Sequence, residues 1–265
     1  MEVAFRLFRR DIQNFDEHST VPFRSGLIKA HSYGTVVFEP ECSPEVQQRV
    51  LALVERTGDS LASLIGSALP RRPLLTLVTQ QAGIYGLIGR INDGYAKPIV
   101  WRTERRDAEN VWHHAHESLE MDLLAIGRHL PRWFIEGMAQ LAGFHTTDAV
   151  LPGQANELVS TYQGQGIAAL HDFLRWATPP AQLSNVLDQD FNRVLAQIID
   201  FANVHHMTKK PLYGAAIEYL RKWTGGNRDA FRKLIRAIPT FTGDDPLVLL
   251  RQLFGSLEGL DDLGQ

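Results

Sequence analysis

The chain has 265 residues, of which 44% are apolar and 22% charged, and its formal net charge is −3. This is the composition of a globular protein, and a chain this long buries roughly 70–75% of its unfolded surface without staples. Collagen-like, low-complexity and disordered classes are excluded, and without a basic excess nucleic acid is not the expected partner.

The first residues, MEVAFRLFRRDIQNF, alternate charged and apolar positions and contain no uninterrupted apolar core of the signal-peptide kind. No stretch reaches the roughly 18 apolar residues a membrane span needs. The expected location is the cytoplasm, and a leader already removed would leave the same sequence. Cys42 is the single cysteine, so neither a disulfide framework nor a cysteine-rich zinc site is available.

Residues 1–105 read as a mixed α and β part. VAFRLF (3–8) and YGTVVFE (33–39) have strand character. A helix is predicted over 43–69, with Ser43 as N-cap, Pro44 at its first position and Gly58 as a point where it splits or where its first part ends. PLLTLVT (73–79) reads as a buried strand, and the glycine-rich stretch 83–102 ends in a short strand, PIVWR. Residues 106–265 read almost entirely as helix. Segments are predicted near 107–129, 131–144, 154–176, 188–206, 209–224, 227–238 and 245–255, with Gly225–Gly226, Pro239 and Gly243 as stops. The expected fold class is α+β, a small mixed-sheet N-terminal part packed on a mostly helical C-terminal part.

The informative stretch is 111–139, VWHHAHESLEMDLLAIGRHLPRWFIEGMA. At 100° per residue, His113, His116, Glu117 and Glu120 fall within about a third of a helix circumference. Imidazoles and carboxylates one turn apart point the same way, as metal binding requires. Trp112, Ala115 and Leu119 occupy the other arc and can pack inward. Pro131 can open a second helix that carries Glu136, 16 residues after Glu120. A tight turn would return Glu136 over the His/Glu face, with Gly137 and Ala139 allowing close approach and Trp133 as a core anchor.

This pattern resembles the HExxH-plus-glutamate zinc peptidases, the gluzincins, and is most similar to their peptidase MA-like branch. That branch follows its HE helix with an L-P-x-W-x-x-E-G-x-A segment, matched here by Leu130, Pro131, Trp133, Glu136, Gly137 and Ala139. Residues 212–238 and 254–262 are similar to its later helices and tail, while 1–99 match only in the order of elements. The resemblance implies a zincin-like fold with the active-site cleft between the two parts. It makes His116 the first metal ligand, Glu117 the general base and Glu136 the third ligand. Glu120 stands where the family has its second histidine. A carboxylate can bind zinc at about 2.0–2.2 Å, although the added charge weakens the Lewis acid and favours harder ions such as manganese.

A second register takes His113 and Glu117 as the i, i+4 pair, with 18 residues between Glu117 and Glu136. It places His114 at the base position. In the first register His113 is a fourth ligand or an outer group.

The implied chemistry is hydrolysis of a peptide or protein substrate by metal-activated water, with Tyr213 as the first choice for stabilising the oxyanion and His205 and His206 as alternatives. PIVWR fits the place of a substrate-side edge strand by its order alone, and Arg102, Arg105 and Arg106 lie nearby. The competing reading is a catalytically inactive gluzincin-like domain kept as a binding or scaffold module. A di-iron carboxylate site is disfavoured because it needs a second Glu-x-x-His pair.

Overall fold

Apolar runs such as TVVF, LLTLV and IVW, with less apolar strands paired beside them, form two small sheets in the computed structural model. It describes residues 6–10, 18–67, 73–88, 98–126, 132–155, 220–243 and 245–255, with single positions 69, 130 and 217. Strands β1 (Arg6–Arg10), β2 (His18–Pro22) and β6 (Ile84–Ile88) make a three-stranded antiparallel sheet with β1 in the middle. Strands β3 (Ile28–His31), β4 (Gly34–Phe38), β5 (Leu74–Thr79) and β7 (Ile99–Arg102) make a four-stranded mixed sheet in the order β3-β4-β5-β7. β3 and β4 are an antiparallel hairpin, whereas β4–β5 and β5–β7 are parallel. The fold class is α+β, as predicted. β2, β3 and β6 are additions to the predicted strands.

The chain divides into two compact units. One comprises Met1–Ser63, Pro70–Asp122 and Ala142–Ala155, the other Leu64–Leu69, Leu123–Leu141 and Asn156–Gln265.

In the first unit the side-chain period of two sorts the mixed sheet into faces. Val36, Phe38, Val78 and Trp101 join Val50, Leu53 and Val54 of helix α1 (Pro44–Ile65) and Val111 of helix α2 (Asp107–Ala125) in one cluster. Val37, Leu75, Leu77 and Val100 join Leu7 and Ile84 of the three-stranded sheet in another. β5 is therefore buried on both faces, as its apolar run requires of a central parallel strand.

α1 begins as predicted, with Ser43 Oγ accepting from Val46 N at 3.4 Å. It does not split at Gly58. The Tyr33 ring of the hairpin turn occupies the space a Cβ there would fill, so this glycine serves packing. Tyr33 Oη donates to Asp59 at 2.6 Å and Ser32 Oγ to Glu55 at 2.8 Å, which ties the turn to the helix.

Where β4 ends, Glu39 is 2% exposed and accepts from Thr79 Oγ1 at 2.7 Å, from Gln80 N at 3.0 Å and from the Gln81 side chain. A buried carboxylate with several donors braces the ends of β4 and β5. Glu39→Ala strands those donors and is expected to cost about 2–4 kcal/mol, read as a fall in urea midpoint, while Glu39→Gln keeps an acceptor and loses less.

Helix α3 (Arg132–Val150) runs beyond its predicted end at 144. In the second unit, helical residues 220–224 stop at Gly225 and Gly226, whose φ values are +59° and +66°. Asn227 caps helix α4 (Arg228–Ala237) by accepting from Asp229 N at 2.7 Å, and Asp245 caps helix α5 (Pro246–Phe254) by accepting from Leu247 N at 2.8 Å. The segments predicted near 154–176 and 188–206, most of 209–224, and with them Tyr213, His205 and His206, lie outside the described residues. Among the described residues no helix is long and apolar enough to cross a membrane.

Candidate metal centre

The rotation of α2 about its axis is set by contacts on its sheet side. Asn110 accepts from Arg102 N at 3.1 Å and donates to Arg102 O at 2.7 Å, joining the end of β7 to the first turns of the helix. One turn on, His114 Nε2 meets Thr76 Oγ1 of β5 at 2.9 Å, and its ring stands edge-on to Trp101 at 6.1 Å. Met121 packs against Leu74 and Ile99. With these residues turned to the sheet, the helical period carries His116, Glu117 and Glu120 to another face.

There one ligand atom from each of His116, Glu117 and Glu120 lies within 4.8 Å of the others. His116 Nε2 and Glu120 Oε2 are 3.9 Å apart, with side chains only 8% and 7% exposed. This polar face is thus a buried one. Two carboxylates this close repel, a cost that a divalent cation offsets, and an imidazole nitrogen with carboxylate oxygens is a donor set that such ions accept. The residues present fit a metal.

Trp112 was predicted to pack inward with Ala115 and Leu119. Those two are fully buried, but the Trp112 ring instead lies against His116 at 5.5 Å and 33°, with Phe144 of α3 at 6.1 Å. Gly143 makes room for it, since a Cβ there would come within 2.5 Å of Trp112 Cδ1. The indole so restrains the His116 ring. Spacing singles out neither Gly143 nor the Thr76–His114 contact.

His113 Nδ1 is 3.9 Å from Glu117 Oε1 and is not one of the three residues grouped within 4.8 Å. His114, the base of the second register, is committed to Thr76 and Trp101. Glu136 is on α3, 3% exposed, and belongs to the second unit.

β7 does end the sheet, yet all four of its residues are buried. Thr103 N bonds back to Thr79 O, so the backbone groups of Val100 and Arg102 face away from β5, and Asn110 already takes those of Arg102. Little of this strand is left for an extended peptide. Arg102 is 7% exposed and donates to Ile84 O, and Arg106 pairs with Glu109 at 2.7 Å, so both have internal roles.

No protein-family model, curated protein or solved structure matches this chain.

Proposed function

We propose that the chain is a metal-dependent peptide hydrolase of the HExxH-plus-glutamate kind, zincin-like, with Glu120 in place of the second histidine. The observation that carries the proposal is the convergence of His116, Glu117 and Glu120 on one face of α2, with His116 and Glu120 buried and Glu117 half-buried. In it His116, Glu120 and Glu136 hold a divalent cation, zinc or the harder manganese, and Glu136 is assigned from the sequence pattern. A bound cation supplies Lewis acidity and water of lowered pKa. Glu117, whose side chain is 17% exposed, stays open to substrate, takes the proton of the attacking water and delivers it to the leaving amine. Trp112 keeps the His116 ring in place. Tyr213 is the proposed donor to the developing oxyanion, and a peptide or protein lying along this face of α2 is the substrate.

One observation favours a second reading, a binding module without catalysis: Glu120 replaces a neutral ligand by a charged one and weakens the Lewis acid. An assay separates the two. Protein supplied with zinc or manganese is incubated with casein and with a mixed fluorogenic peptide library, then stripped with a chelator. The proposal expects hydrolysis that the chelator abolishes and added ion restores. Ion binding without hydrolysis of any substrate selects the binding module.

A further inference from the structure

β3 is an outer strand of the mixed sheet, and its first three residues are exposed. Leu27 and Ile28 are 37% and 50% exposed, two of the three large apolar side chains that are exposed among the described residues. The register with β4 decides which backbone groups lie outside. Phe38 accepts from Gly26 N and donates to Leu27 O, both at 2.8 Å. Bonded pairs of an antiparallel ladder recur at every second residue, so the next are Val36 with Lys29 and Gly34 with His31. The N–H and C=O groups of Ile28 and Ala30 therefore point away from β4. Ile28 and Ala30 share the sheet face of Val37 and Thr35, whereas Lys29 shares the face of Val36, on the α1 side. Lys29 makes no ion pair among the described residues.

We propose that β3 is a docking edge for an extended segment of another protein, which adds as an antiparallel strand and carries an acidic residue opposite Lys29, flanked by apolar residues opposite Ile28 and Ala30. Ile28 and Ala30 each offer a donor and an acceptor to such a strand, the usual source of affinity when a peptide extends a sheet. Ile28 gives its apolar side chains a surface to cover. A carboxylate opposite Lys29 forms a cross-strand charge pair.

The same register disfavours a second copy of this chain. Opposed residues of an antiparallel pair point to one face, so two copies of β3 can pair only about Ile28, Lys29 or Ala30. Pairing about Lys29 uses both outward residues but sets two ammonium groups against each other, which is destabilising. Pairing about Ile28 uses that residue alone, because Gly26 N is already bonded to Phe38 O. Pairing about Ala30 puts Lys29 against His31 and runs into the turn at Ser32 and Tyr33. An edge lysine thus guards against self-association, and an acidic partner turns the same charge into an attraction.

The test uses short end-blocked peptides, one alternating valine with aspartate and one alternating valine with lysine. Binding is followed by fluorescence anisotropy and by amide hydrogen exchange, on wild type and on the exposed substitution Lys29→Glu. Wild type should bind the valine–aspartate peptide about fivefold more tightly than the other, the scale of an opposite against a like cross-strand charge, and Lys29→Glu should invert the order. Binding should slow exchange at the amides of Ile28 and Ala30, and methylating the valine nitrogens of the peptide should abolish it. No binding of either peptide at millimolar concentration, binding that leaves those two amides unprotected, or a preference that Lys29→Glu leaves unchanged overturns the proposal. So does a dimer in ultracentrifugation of the protein alone that Ala30→Pro dissociates, since the edge would then be taken by a second copy.

Discussion

Trp101→Ala is expected to destabilise the protein by about 3–5 kcal/mol, the usual loss when a large buried aromatic is removed from a core that cannot collapse onto the gap. Trp101 is 1% exposed and belongs to the cluster in which β4, β5, α1 and α2 meet. Its edge-on contact with His114 makes it part of the wall against which α2 is oriented. The buried indole Nε1 has no hydrogen-bond partner among the described residues. Trp101→Phe removes that unsatisfied donor while keeping most of the ring, so its loss should stay below about 1.5 kcal/mol. Urea unfolding followed by circular dichroism measures both. Equal losses in the two variants would mean that the indole is not held by packing alone. Because Thr76 and Trp101 together set the rotation of α2, Trp101→Ala should also weaken ion binding at His116 and Glu120 under conditions where it remains folded.

Glu117→Gln should lower kcat by about 10²- to 10⁴-fold, the usual contribution of a positioned general base, which is about 3–5 kcal/mol of barrier. The amide keeps the size of the carboxylate and cannot take the proton. The proposed ligands His116, Glu120 and Glu136 are untouched, so the ion should be retained while turnover is lost. Steady-state rates and metal content measured on the same preparation make the comparison. Undiminished hydrolysis in Glu117→Gln would remove Glu117 from the mechanism.

The fold was most legible where local chemistry and tertiary packing agree. Ser43–Pro44 opens α1, Gly225–Gly226 closes the helix before Asn227, and the unbroken apolar run of β5 marks a strand covered on both faces. It was least legible where packing overrides local preference. Gly58 reads as a helix break, but α1 continues because the Tyr33 ring needs the missing Cβ. HSTVP and IKAH have little strand character of their own and become β2 and β3 by pairing with β1 and β4.

The site divides the same way. His116, Glu117 and Glu120 were visible because helical spacing alone puts them on one face. What turns that face was not visible, since Thr76 lies 38 residues from His114 in sequence and their contact exists only once β5 and α2 pack. The Trp112–Gly143 fit is likewise a property of two helices together. PIVWR matches a substrate-side strand by its order alone. Asn110, whose side chain occupies the outward backbone groups of Arg102, could not be foreseen from composition.

The central claim is that α2 holds a divalent cation through His116 and Glu120. Metal content of the purified protein, measured by plasma mass spectrometry on wild type, Glu136→Ala and Glu120→His, tests it most directly. The account predicts about one zinc or manganese ion per chain as isolated, lost in Glu136→Ala and retained in Glu120→His, where the histidine supplies a neutral ligand at the same place. No ion in wild type would contradict it, whether or not Glu120→His binds one.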